Sequence, residues 1–239
     1  MPTSVQESSA ASPRAAAPRL PGAVALLTGA LSYAVLTVAY VVTNRATPQP
    51  GTPGRDILRY VRDNGTAIDL GAFLLLVAAV LLVPVAATLA RLVRHRQSAD
   101  MSAAAATAAL AGGVLASGAL ASSAVLAWTL GRLPEQAPAA LARALADLSF
   151  LTGGIGYAVS FALLAAGTCL AARGSGILPR ACATTGLVIA AAGLAATLTL
   201  VVFGFSYLLP VVRFGGTAWL VWAALALARP RSAAPGANA

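Results

Sequence analysis

Lysine is absent from this chain, histidine occurs once, cysteine twice, and seven acids face sixteen arginines. Each shortage removes a class of chemistry. His95 has no partner at ligand spacing, and Cys169 and Cys182 have no histidine nearby, so no zinc site is expected. Without lysine there is no Walker lysine. The chain also lacks His-Glu-x-x-His, Gly-x-Ser-x-Gly and a dinucleotide-binding glycine fingerprint after a strand. Ser122, Ser123 and Ser206 have no histidine base close in sequence. Acid–base catalysis needs titratable groups placed together, and one histidine with seven acids offers few. The chain is therefore expected not to be an enzyme and to carry no cofactor and no metal.

Charge is scarce and apolar residues abound: 10% of the 239 residues are charged, 59% are hydrophobic, and mean hydropathy is +0.81. Soluble domains carry roughly 25% charged residues. The surplus apolar surface is gathered into six runs, at about 21–43, 67–92, 101–130, 148–172, 180–205 and 210–228. About 18 apolar residues in a row suffice to cross the hydrocarbon core as a helix. The expected class is all-α, a polytopic membrane bundle of six transmembrane helices in one domain spanning 20–229. Residues 1–19 and 230–239, rich in Ala, Ser and Pro, are expected as disordered tails. The first run is too long for a typical secretory h-region and is read as a retained signal anchor.

Details follow from single residues. Pro21 suits a first helical turn, and Pro84 is expected to kink the second run, its freed carbonyl met by a neighbour or by Thr88. In the sixth run the uncharged part, 214–228, is short, so a start at Pro210 is expected, with Arg213 in the first turn snorkelling to the headgroups. Between the first two runs, Thr52 and Pro53 read as an N-cap and first-turn proline and Asn64-Gly65 as a stop. Ile57, Tyr60 and Val61 share one face, opposite Arg55, Arg59, Arg62 and Asp63. Two readings stand: an amphipathic helix lying on the membrane surface, or a solvated loop helix. An alanine-rich turn before residue 148 is expected to run into the fourth helix.

Positive charge sets orientation. With the N-terminus in the cytosol, the inner segments hold nine arginines and the outer segments seven. The cluster Arg91, Arg94, His95 and Arg96 hugs a helix end on the inner side, and Tyr40, Tyr60, Trp128 and Tyr207 gather at the outer interface. The expectation is N-in, C-in. The same topology puts Cys169 and Cys182 beside a cytosolic loop, where two small buried or interfacial thiols are expected rather than a disulfide. Arginines at the ends of apolar runs, not clustered on a soluble face with aromatics between them, exclude a nucleic-acid partner.

In lipid, helices associate by close backbone approach through small residues. Gly112, Gly113, Ala116, Ser117 and Gly118 in the third run, Gly153, Gly154, Gly156 and Ser160 in the fourth, and Gly186, Ala190 and Gly193 in the fifth predict tight contacts centred there. Such faces also suit a homo-oligomer or another membrane partner besides the lipid bilayer itself. Ionisable groups inside a membrane are where function is first sought. The candidates are Asp69, Asp147 and Arg213, all expected near the outer ends of their helices. If those ends adjoin, Arg213 could pair with one or both carboxylates in an outer-side polar cluster. The competing reading is electrostatic: an aspartate in a first turn is favoured by the helix dipole, and Arg213 merely snorkels.

Ser175-Gly176-Ile177-Leu178-Pro179-Arg180, followed by Gly186-Leu187-Val188-Ile189-Ala190 and Gly193, resembles the Ser-Gly-x-Leu-Pro-Arg loop of the bacterial six-helix membrane family catalogued as domain of unknown function 4386. The resemblance implies a polytopic membrane protein, with a short helix in its first outer loop and a basic loop after its second helix, over about 21–228. It assigns no catalytic residue. The combined expectation is a multi-pass protein of a bacterial plasma membrane in a structural or accessory role, with a small-molecule transporter or channel bearing an outward-facing polar site as the alternative.

Overall fold

Hydrocarbon offers no partner for a backbone N–H or C=O, so a chain that crosses it must satisfy those groups within each segment. The computed structural model, which describes residues 22–94, 100–173 and 176–229, meets that demand with helices alone; no strand occurs among the described residues. We number the helices α1 (Ala23–Thr43), α2 (Gly54–Asp63), α3 (Gly65–Arg94), α4 (Asp100–Gly131), α5 (Ala139–Ala172), α6 (Arg180–Leu200) and α7 (Phe203–Ala228). All but α2 are long and apolar enough to cross a membrane, giving six spans. Val24, Leu31, Val35, Val38 and Val42 form an exposed stripe along α1, and Phe73 and Val80 continue it on α3. Such a patch marks a surface that meets lipid rather than water.

The helices pack as sequential neighbours, and α7 returns to α1 to close the ring. The apolar stretch of α5 is 67% buried against 22% for α1, so α5 is the central post. Small residues let its neighbours reach it. A Cβ on Gly112 would strike the backbone of Ser160 and Leu164, and Gly193 lies against the Ala158 carbonyl and Ala162. Gly113 instead faces Ala86 of α3, and Gly118 faces no residue of the bundle. Ser117 of α4 donates to the Ala79 carbonyl at 2.6 Å, one turn before Pro84 inside α3.

Several boundaries differ from expectation. Helix α3 begins at Gly65, directly after Asn64 ends α2, because the Asn64 N–H and Nδ2 both donate to the Tyr60 carbonyl and the next helix starts at once. Helix α5 begins at Ala139 rather than 148, and the alanine-rich turn runs into the span as expected. The fifth span ends at Leu200 rather than 205, and the sixth begins at Phe203 rather than 210. A two-residue break at Val201-Val202 interrupts what reads in sequence as one apolar run. Pro53, not Thr52, occupies the N-cap of α2, and the Thr52 hydroxyl turns back to the Gln49 carbonyl at 2.7 Å. Pro21, His95, Arg96, Ser175 and both expected tails lie outside the described residues.

Helix α2 corresponds to neither earlier reading. Its apolar face, Ile57 and Val61, is buried on the bundle against Ile68 and Ala142, so it roofs one end of the protein. Gly54 lies against the Ala139 carbonyl, and Arg62 reaches Glu135 at 3.6 Å. At the opposite end, Gly176 turns the chain with φ +59°, Ile177 and Leu178 insert into the core, and Pro179 caps α6. The Gly-Ile-Leu-Pro-Arg part of the loop is thus a turn, a two-residue plug and a helix start.

Candidate functional site

Arg213 does not lie in the first turn of its helix. Because α7 starts at Phe203, Arg213 lies ten residues along it, the first five of them a 3-10 turn, roughly 17 Å at about 2.0 and 1.5 Å per residue. That is on the order of half the ~30 Å hydrocarbon thickness. Its side chain turns into the bundle rather than toward the headgroups. Nη2 donates to the Gly153 carbonyl at 2.6 Å, and the guanidinium lies 4.8 Å from the Tyr157 ring centre and 5.8 Å from that of Tyr40.

Two local distortions make this contact. Leu151–Gly156 in α5 and Val211–Gly215 in α7 are π-helical turns. A π turn shifts the hydrogen-bond ladder by one residue and turns carbonyls away from their helical partners, and such turns recur at functional sites. Gly153 presents its carbonyl from one of them, and Arg213 occupies the other. A side chain on Gly153 would displace Ser123, which instead shares reciprocal bonds with Ser149: Ser123 Oγ donates to the Ser149 carbonyl at 2.9 Å, and Ser149 Oγ to the Ser123 carbonyl at 3.1 Å. The Arg213 carbonyl in turn accepts from Thr217 Oγ1 at 2.6 Å.

Above this arginine is a cavity of about 500 Å³ under the 44–53 loop and α2. Arg213, Tyr157, Tyr40 and Gly153 line its inner part, and Ser123, Ser149, Asp147 and Asn44 add polar atoms. Ile57, Ile68, Phe150, Leu209 and Phe214 make it largely apolar. Phe203 and Tyr207 also line it while being exposed on the outside of α7, Tyr207 by 83%.

Below Arg213 the bundle is closed. The Tyr33 hydroxyl donates to the Tyr157 hydroxyl at 2.9 Å, with Thr37 and Thr217 beside the pair. Phe161 packs on Tyr157 at 5.5 Å between ring centres, and Trp219 meets Phe161 edge-on at 6.2 Å. Trp219 Nε1 donates to the Cys182 carbonyl at 3.0 Å. Tyr33, Tyr157, Phe161 and Trp219 are all fully buried. This column of buried rings closes the bundle on the inner side of Arg213.

Of the three residues singled out from sequence, two meet here. Asp147 and Arg213 both line the cavity, while Asp69 lies outside its wall. The carboxylates have other cations: Asp69 pairs with Arg132 at 3.2 Å and Asp147 with Arg143 at 3.5 Å. Arg132 stacks 4.9 Å over Trp128. No ion pair joins Arg213 to a carboxylate among the described residues. Its Nη1 is buried and has no hydrogen-bond partner there. Sequence reasoning did not name Tyr33, Tyr157 or Ser149, and it read Tyr40 as an interfacial residue and Gly153 as a packing glycine rather than as parts of a site. The available signal was a tyrosine directly after the glycine cluster 153–156. Among the described residues no three His, Cys, Asp or Glu side chains come together as a metal would require. The chemistry on offer is recognition: one fixed cation, several hydroxyls and an apolar wall.

No curated protein and no solved structure matches the chain. The family model described as Domain of unknown function (DUF4386) matches residues 23–227, which is most of the chain, and the protein belongs to that family.

Proposed function

We propose that this multi-pass membrane protein binds a small molecule in the Arg213 cavity, as a receptor or carrier component of a bacterial plasma membrane and not as an enzyme. With both termini in the cytosol, as the arginine distribution favours, the cavity faces outward. One observation carries the reading: a cavity of about 500 Å³ with a half-buried arginine at its inner end, whose Nη1 is buried without a hydrogen-bond partner among the described residues. Small-molecule sites span about 300–1,000 Å³ and are mostly apolar with a few placed polar groups. The column from Tyr157 to Trp219 closes the other side, which suits binding from one face, with passage requiring a rearrangement.

Ala146 lines the cavity and takes part in none of its hydrogen bonds. Replacing it with tryptophan puts an indole into the space and leaves Arg213 in place. The test compares native mass spectra of wild-type protein and Ala146→Trp, each purified in a non-ionic detergent with a panel of small amphiphiles. Wild type should retain a bound molecule that Ala146→Trp does not. Equal retention by both, with both folded, would remove the proposal.

A structural or accessory role has one specific support. Gly118 and Ser122 lie exposed on the outside of α4, a small-residue pair unused by the bundle. Such pairs allow close helix contact, which fits a second copy or a membrane partner. Cross-linking through Gly118→Cys in membranes would reveal such a neighbour, and a purely monomeric result would remove this second reading.

A further inference from the structure

Resting on the cavity reading above, we infer that the ligand is an amphipathic monoanion: a single carboxylate or phosphate headgroup pairs with the Arg213 guanidinium while its apolar body lies along Phe150, Leu209 and Phe214. The argument begins with charge. Arginine keeps its proton in proteins, so Arg213 brings a full positive charge to mid-depth. What meets that charge is a carbonyl dipole and two ring faces. These are partial compensation, and a buried charged donor without a partner is costly. Asp147 lines the same cavity but is engaged by Arg143 at 3.5 Å. The missing counter-charge is one negative group.

Selectivity follows from the same residues. Among the described residues that line the cavity, Arg213 is the one cationic side chain, which matches a single headgroup and disfavours a polyanion such as a nucleoside triphosphate. A cationic amphiphile would meet repulsion from Arg213 with no free carboxylate to receive it. A neutral alkane would fill the apolar wall and leave the guanidinium unpaired. Only an amphiphile with one negative end satisfies both surfaces. Two sources share this chemistry: a free amphiphile entering under the 44–53 loop, and an anionic bilayer lipid entering past the exposed Phe203 and Tyr207.

Full-length wild-type protein in a non-ionic detergent is titrated with dodecanoate, dodecanol and dodecyltrimethylammonium, which share one tail, and bound adducts are counted by native mass spectrometry. Dodecanoate should bind about tenfold or more tightly than dodecanol, as a buried charge-assisted pair warrants, and the ammonium compound weakest. Arg213→Lys should keep the preference and Arg213→Gln should lose it. The comparison within wild type stands even if a variant fails to fold. Dodecanol binding as tightly as dodecanoate would overturn the anion and leave the cavity reading intact. Binding of all three no better than to Ala146→Trp would overturn both. Nanodiscs separate the sources: displacement of dodecanoate by phosphatidylglycerol but not by phosphatidylcholine points to a bilayer lipid, retention in both to a free amphiphile, and either supports the anionic class.

Discussion

Arg213 of α7 donates Nη2 to the backbone carbonyl of Gly153 in α5 at 2.6 Å, and each residue sits in a π-helical turn of its own helix. The bond joins the central helix to the last one at mid-depth and fixes the guanidinium beneath the cavity. Removing the donor deletes a hydrogen bond from a charged group to an interior carbonyl, worth about 1.5–3 kcal/mol. Arg213→Ala should therefore lower the thermal midpoint in detergent, and Arg213→Gln, which keeps an amide donor, should lower it less. Equal midpoints for wild type and Arg213→Ala would show that the bond contributes nothing.

The Tyr33 and Tyr157 hydroxyls meet at 2.9 Å in full burial. Loss of one hydroxyl leaves the other with only the neighbouring Thr37 and Thr217 hydroxyls, whereas loss of both removes the need for the mutual bond. Tyr33→Phe and Tyr157→Phe should each destabilise by about 1–3 kcal/mol, and the double variant should cost less than their sum. Strict additivity in that double-mutant cycle would deny the contact.

Helix contact at the centre depends on absent side chains. Gly112→Ala puts a methyl group into the backbone of Ser160 and Leu164, and Gly118→Ala meets nothing within 4 Å. Overpacking costs typically about 1–3 kcal/mol. The first variant should lose folded yield and thermal stability, and the second should match wild type. Indistinguishable variants would contradict the packing of α4 on α5.

Helix α2 is held by burial rather than by its ion pairs. Ile57 and Val61 are buried, while Arg62 and Glu135 are both largely exposed. Burying an isoleucine is worth about 1.5–3 kcal/mol, and exposed pairs about 0–1 kcal/mol. Ile57→Ser should speed hydrogen exchange across residues 54–63, and Glu135→Ala should leave it unchanged. The reverse order would mean that charge, not burial, docks the roof.

The six spans were legible because hydropathy integrates over some twenty residues, and no single position can blur it. What stayed hidden depends on features with no such average. The break at Val201-Val202 lies inside unbroken apolar sequence, so α7 reads seven residues too short and Arg213 one to two turns too shallow. The π turns at 151–156 and 211–215 carry no periodicity of their own. Asp69 and Asp147 were visible as ionisable groups, yet their cations, Arg132 and Arg143, come from the connection before α5 and from its first turns, where pairing depends on where that helix begins. The amphipathic face of α2 was evident, but its partner surface, Ile68 and Ala142, exists only once α3 and α5 stand together.

Access to the cavity can be read directly. Ser149 lines it and Ser117 is buried between α4 and α3. In a background of Cys169→Ala and Cys182→Ala, Ser149→Cys, Ser117→Cys and an exposed control, Thr52→Cys, are treated in right-side-out vesicles with a membrane-impermeant maleimide. Ser149→Cys and Thr52→Cys should react while Ser117→Cys does not, and dodecanoate should slow the reaction at Ser149→Cys alone. Reaction at Thr52→Cys with none at Ser149→Cys would mean that no water reaches this site, and the account of an outward cavity ending at Arg213 would be wrong.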